Sequence, residues 1–212
     1  MEIEGRSVDK MAYVRLATKE DILVIKLLID ELAKFEKMSS EATESALEST
    51  LFEQPPFLGP IVLLLELGSP LSAAISQAQS RPTDFQEKSP EVSIYAPNFQ
   101  DSLSGSCISS NEESQTVVGF VHIFPTYSSF LAKRGFQIGD LYVREAYRRQ
   151  GLGRILLEAG AQQAAKRKLA RVEWYVLEWN VNAIKFYQSM GAVLLQDLKV
   201  CRLSGNALEN YA

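Results

Sequence analysis

The chain has 212 residues, 46 % hydrophobic and 23 % charged, enough for one ordinary domain with a substantial core. A formal net charge of −4 and a pI near 5.2 argue against a dedicated nucleic-acid binder, which carries a basic excess to meet phosphates. Two cysteines in no C-x-x-C spacing, Cys107 and Cys201, and a single histidine, His122, argue against a disulfide framework and against a His-rich metal site.

Residues 1–10 are polar, lack the apolar core of a secretory signal and read as a flexible tail. Residues 13–16 form a short strand candidate. Thr18, with Asp21 three positions on, gives a helix start. Behind it Ile22, Ile25, Leu28, Ile29, Leu32 and Phe35 recur at helical spacing. A more polar helix is expected over about 41–52, and Pro55-Pro56 prevents its continuation. The apolar run 61–65 suits a strand covered on both faces. It is far too short to span a bilayer, so a cytoplasmic protein without membrane contact is expected.

Residues 69–115 hold twelve serines and four of the eight prolines, with little periodicity. They read as a flexible insertion in a strand-to-strand connection, inside a single domain over 11–212. Strands follow at 116–124 and 136–143, and a helix at 151–168 with Ile155, Leu156 and Ala159 toward the core. Another strand is expected at 171–176. A helix follows at 181–190, with Gly191 where a C-terminal glycine cap belongs. Two closing strands, 192–195 and 199–203, make seven in all. The order β-α-α-β-β-β-α-β-α-β-β describes a mixed α/β (α+β) domain.

The most informative stretch is the turn Arg148-Arg149-Gln150-Gly151-Leu152-Gly153, followed by Arg154. A strand leads into it and a long helix leaves it. Unpaired amides at a helix N-terminus bind anions, and three arginines add charge at the same point. The turn fits Q/R-x-x-G-x-G/A, neither a dinucleotide fingerprint nor a Walker loop. On these residues alone, a solvated basic turn is an equally good reading.

A second stretch lies about thirty residues on. Asn180, Ala183, Tyr187 and Gly191 fit N-x-x-A-x-x-x-Y-x-x-x-G. With both motifs in order, the chain resembles the GNAT superfamily of acyl-CoA N-acyltransferases. Glu31-Leu32-Ala33-Lys34-Phe35-Glu36 resembles the first-helix segment of spermidine/spermine and thialysine acetyltransferases. Residues 124–133 and 200–208 are similar to the plant branch of that group, which includes tyramine N-hydroxycinnamoyltransferases and ornithine or diamine acetyltransferases.

The resemblance implies a mostly antiparallel sheet of six to seven strands, splayed between the fourth and fifth and flanked by about four helices. It implies acyl-CoA, acetyl or hydroxycinnamoyl, as co-substrate, with no metal. Leu141, Tyr142 and Val143 would lie along the pantetheine arm and the acyl group, one amide polarising the thioester carbonyl. Arg148, Arg149, Gln150, Gly151, Leu152, Gly153 and Arg154 would surround the pyrophosphate. Asn180 would bond the cofactor and Ala183 would leave room for it. Tyr187 falls on the position of the family's general acid; without the flanking motif it reads as an ordinary half-buried tyrosine.

For the amine, the resemblance points to Phe35, Glu36, Tyr127, Ser128, Gly139 and Asp140. The polyamine enzymes have a glutamate where this chain has Gly139 and an acidic residue where it has Ser128, which argues against spermidine and spermine. Glu36, Asp140 or a water chain remain open as the base. His122 reads first as a core histidine bonded to backbone. Trp174, Trp179, Tyr127 and Phe130 read as core, with an aromatic substrate pocket as the alternative for the last two. The leading function is a small-molecule amine N-acyltransferase acting on tyramine, a diamine or ornithine. A protein N-acetyltransferase and a non-catalytic acyl-CoA-binding module are the competing readings. A homodimer is implied by resemblance alone.

Overall fold

The computed structural model describes residues 11–68 and 116–212; the expected tail at 1–10 and the insertion at 69–115 lie outside the described residues. Two compact units are present, one up to Tyr175 and one from Val176 to Ala212.

In the first unit, strands β1 (Met11–Leu16), β2 (Ile61–Gly68), β3 (Thr116–Ser128), β4 (Lys133–Val143) and β5 (Val172–Trp174) form one sheet in the order β1-β2-β3-β4-β5. The first four are antiparallel, and β5 lies parallel to β4. The parallel step needs a crossover, which α3 (Leu152–Lys166) supplies.

Helix α1 (Ile22–Glu36) covers one face of the sheet. Val24, Ile25, Leu28 and Leu32 pack with Val62, Leu64, Phe120 and Tyr142 into a buried cluster. Each such side chain contributes roughly 1.5–3 kcal/mol by leaving water. Helix α2 (Glu44–Leu51) starts later than the expected position of about 41. Thr43 takes the N-cap, its hydroxyl accepting from the Ala46 amide at 3.2 Å. The expected start of α1 is borne out in part. The Thr18 amide donates to Asp21 Oδ2 at 2.8 Å, and a 3₁₀ turn (Lys19–Asp21) precedes the α-helix.

Helix α3 covers the opposite face, with Ile155, Leu156 and Ala159 buried as expected. The strands come very close to it. A Cβ on Gly119 would stand 2.6 Å from the Tyr142 carbonyl oxygen and 3.3 Å from Leu156 Cδ1. Gly119→Ala is therefore expected to destabilise the protein by about 1–3 kcal/mol, since backbone must move. A urea midpoint lowered at unchanged slope is the measurement that checks it.

The second unit holds α4 (Val181–Ser189) and a short helix α5 (Asn206–Glu209). Gly191, at φ 87°, follows the last turn of α4 as a glycine cap does. The two closing strands are not formed. Residues 192–195 and 199–203 are irregular, and Val193, Leu195, Val200 and Leu203 are exposed. Alternating apolar residues supply a strand's face, but a ladder also needs a neighbouring edge, and none partners them among the described residues. The sheet thus has five strands rather than six to seven. No helix among the described residues is long and apolar enough to cross a membrane.

Candidate active site

The expected parting between strands 4 and 5 is present. β5 pairs with β4 only at Phe136↔Val172, Gln137↔Glu173 and Ile138↔Trp174. β4 runs on to Val143, so along residues 139–143 one edge has no strand beside it among the described residues. Leu141, Tyr142 and Val143 lie on that stretch, with Tyr142 and Val143 buried. An edge of unpaired peptide groups is what an extended, amide-bearing ligand arm would use.

A bulge sits where the strands part. β3 and β4 pair at Ile123↔Ile138 and next at His122↔Asp140, so Gly139 is the extra residue. One inserted residue switches every later side chain to the other face. Ile138 lies opposite Ile123 on the α3 face, whereas Asp140 and Tyr142 lie opposite His122 and Phe120 on the α1 face. A glycine inside a strand pattern is a bulge signal, so this feature could have been read from the sequence and was not.

On the α1 face the side chains interlock. Tyr142 Oη donates to Glu31 Oε2 at 3.3 Å, and Arg144 Nη2 lies 3.0 Å from Glu31 Oε1. Burial first, and the Glu31 carboxylate next, push the Tyr142 phenol up to about 12, so it stays protonated at working pH. Arg148 donates from Nε to the Val143 carbonyl at 2.8 Å, and its guanidinium stands 4.4 Å from the Phe35 ring centre and 5.2 Å from that of Tyr142. The first arginine of the motif is thus engaged with the α1 face and braces the turn from behind. Neither Glu31 nor Arg144 was singled out from sequence, because their pairing spans more than a hundred residues.

Glu36, at the end of α1, faces the bulge. Burial first and the nearby Asp140 carboxylate second hold its carboxyl above the usual range. The structure therefore brings Glu36 and Asp140 together beside Gly139, while Phe35 packs against Arg148. Tyr127 and Ser128 are placed elsewhere, opposite Arg134 and Lys133 at the hairpin tip, about 15–20 Å along β3 from His122. Tyr127 is 65 % exposed and Phe130 fully exposed, so the core reading of both is corrected; Trp179 is exposed as well. Ser128 Oγ accepts from the Leu131 amide at 3.3 Å and shapes that tip.

The turn itself is built as an open helix mouth. Arg149 at φ 65° and Gly151 at φ 81° both lie in the left-handed region. Gly151 is the N-cap of α3, no side chain caps the helix, and a Cβ there would meet nothing within 4 Å. The amide of Arg154 is used by the Gly151 carbonyl at 3.0 Å; those of Leu152 and Gly153 precede the first intrahelical bond. Arg149 is exposed, and Arg154 lies 3.5 Å from Glu158 on the surface. Gln150 Oε1 is buried with no hydrogen-bond partner among the described residues. A left-handed non-glycine residue costs energy, and such residues gather at ligand sites.

In the second unit Asn180 caps α4, its Oδ1 accepting from the Ala183 amide at 3.2 Å. Tyr187 is half-buried on that helix, its ring 5.3 Å from that of Phe186. Among the described residues no cluster of three or more metal-type side chains occurs. A surface cavity of about 520 Å³ opens between Thr18, Phe52, Pro55 and Val62, and none of the candidate residues lines it.

Comparison with known proteins agrees with these elements. Residues 73–192 match the model of the acetyltransferase (GNAT) family. The chain belongs to that family. The match begins inside the stretch read as an insertion. An L-ornithine N5-acetyltransferase of Arabidopsis thaliana is 43 % identical over 200 residues, 92 % of this chain and 86 % of that one. A tyramine N-feruloyltransferase of Nicotiana tabacum is 31 % identical over 207 residues, covering 94 % and 90 %. Among solved structures, an integron cassette protein of V. cholerae superposes with a TM-score of 0.60 at 18 % identity, covering 95 % of this chain and 97 % of its own. The GNAT chain is an acyl-CoA-dependent N-acyltransferase, as its two motifs indicated.

Proposed function

We propose that the protein transfers an acyl group from acyl-CoA to a small primary amine that carries a second charged group, an ornithine-like amino acid or a diamine. The observation that carries this reading is the likeness to the ornithine acetyltransferase over nearly the whole of both chains. The paired Glu36 and Asp140 carboxylates beside the open edge of β4 support it, since a substrate ammonium would relieve their repulsion. The exposed position of Tyr127 and Phe130 gives an aromatic amine less support.

In this reading residues 141–143 bond the pantetheine arm, and one of their amides polarises the thioester carbonyl. Arg149, Gly151, Leu152, Gly153 and Arg154 meet the pyrophosphate at the mouth of α3. Arg148 and Gln150 hold the turn, and Asn180 and Ala183 form the start of α4 on the cofactor. Tyr187 protonates the departing thiolate. Acetyl is the acyl group expected first, and hydroxycinnamoyl second. Cytoplasmic location and a homodimer belong to the same proposal; a monomer by sedimentation at working concentration would count against the dimer.

The test is a matrix of acetyl-CoA and feruloyl-CoA against ornithine, putrescine, spermidine and tyramine, followed by release of free CoA thiol. Ornithine or putrescine with acetyl-CoA is expected to give the highest kcat/KM. Spermidine is expected to be poor, because Gly139 offers no carboxylate to a longer polycation. Tyramine with feruloyl-CoA in first place would replace this reading by an arylalkylamine one. CoA binding without release from any amine would leave only a binding module.

A further inference from the structure

His122 does not behave as a core histidine bonded to backbone. Its Nδ1 lies 3.3 Å from Asp140 Oδ2, with the two side chains 24 % and 40 % exposed. A carboxylate only accepts, so the ring nitrogen that faces it carries the hydrogen. Nε2, on the far side of the ring, is buried with no hydrogen-bond partner among the described residues. The ring's one outward bond is therefore the one that Nδ1 donates to Asp140. His122 is a donor here and not an acceptor.

The bulge explains why Nδ1 can be there. His122 stands opposite Asp140 only because Gly139 is inserted between the paired positions of β4. A Cβ on residue 139 would stand 2.9 Å from His122 Nδ1 and 3.4 Å from Phe124 Cε1. The backbone does not ask for glycine, since the left-handed glycines among the described residues are Gly151, Gly191 and Gly205. Gly139 is instead the space that the ring edge occupies. Phe124, 5.8 Å away between ring centres, flanks the ring on β3. Gly139 itself is exposed, so the Nδ1 edge lies at the open part of β4.

Asp140 has a physical reason to turn away from this place. Its carboxylate acts on Glu36, at the end of α1, strongly enough to help hold that carboxyl above the usual range, second to burial. Two carboxylates repel, and an aspartate 40 % exposed has other rotamers open to it in solvent. A donor fixed on β3 opposes that rotation. It occupies Oδ2, and Oδ1 accepts no hydrogen bond among the described residues.

We propose that His122 is a positioning residue for the amine: by donating from Nδ1 to Asp140 Oδ2 it holds that carboxylate at the open edge of β4, where Oδ1 accepts from the substrate's ammonium. The inference rests on the amine-acyltransferase reading above and deepens its account of the amine. No covalent bond forms or breaks at His122, and no proton of the reaction passes through it. Its effect falls on the binding of the amine, before the chemistry, and leaves the acyl-CoA side at 141–143 untouched.

The experiment compares His122→Asn with His122→Leu in the full chain, with acetyl-CoA and the best amine of the matrix. The two replacements are nearly the same size, and both remove the ring from beside Phe124. Only asparagine puts an N–H where Nδ1 stood. His122→Leu is expected to raise KM for the amine about tenfold, the low end for a hydrogen bond to a charged group, in keeping with its length. Its kcat should stay within about threefold of native and its KM for acetyl-CoA should not change. His122→Asn is expected to recover most of the loss and to keep the shape of the native pH profile of kcat. Gly139→Ala keeps the histidine but pushes its edge off Asp140, and is expected to raise the same KM. It takes the place of His122→Leu if that variant does not fold, and an unchanged KM there overturns the proposal. So does an equal KM for the amine in folded His122→Asn and His122→Leu, or a fall in kcat as large as the rise in KM. A native enzyme that acylates no amine overturns the underlying function, and this role with it.

Discussion

Tyr187→Phe is expected to lower kcat by about 10²–10⁴-fold, the range for a positioned general acid, with KM for acyl-CoA little changed. The substitution deletes one oxygen and keeps the ring that packs 5.3 Å from Phe186 on α4. A melting temperature measured alongside separates a fall in rate from a loss of packing. An ordinary phenol, with a pKa near 10, can give its proton to a thiolate only when that thiolate is forming, which confines the contribution to the transition state. The deficit should therefore appear in kcat and kcat/KM alike. An unchanged turnover rate at saturating substrates would remove Tyr187 from the mechanism.

Arg15→Met is expected to destabilise the protein by about 3–5 kcal/mol, the usual effect of breaking a buried ionic cluster from one side. Arg15 forks onto Asp21 at 2.6 and 2.7 Å and reaches Glu66 Oε1 through Nε at 2.8 Å. All three side chains are nearly inaccessible. Burial alone would lower the arginine's pKa; the hydrogen bonds and charges of Asp21 and Glu66 outweigh it and raise it, so Arg15 is charged at every working pH. Methionine fills the volume and leaves two buried carboxylates without their cation.

The sign of the pH effect is fixed by those carboxylates. Unpaired and buried, they have folded-state pKa values raised above the unfolded ones. Their protonated forms are tolerated at low pH, and the penalty grows as pH rises through the raised values. The difference in urea stability between native protein and Arg15→Met should thus be larger at pH 7 than at pH 5. Arg15→Lys should fall between the two, since an ammonium lacks the fork that serves both carboxylates. A loss under about 1 kcal/mol at pH 7 would show that water or relaxation satisfies the orphans.

Local chemistry settled much of this protein before any coordinates. The periodicity of 22–35, the proline stop at 55–56 and the strand-turn-helix around Gly151 each depend on residues a few positions apart, and each stands in the structure at nearly the expected bounds. The two motifs placed the chain in its family for the same reason: a helix mouth and a helix with its cap are local objects. What the sequence left open depends on partners distant in the chain. Residues 192–203 have the alternation of strands but join no ladder among the described residues. Arg15 with Glu66, Glu31 with Arg144 and Arg148 with Phe35 meet only because the sheet and α1 bring them together. The Gly139 bulge is the instructive case. That residue 139 is a glycine was visible at once, but that the space beside it holds a histidine edge, with Asp140 against it, follows from strand register, which only tertiary structure decides.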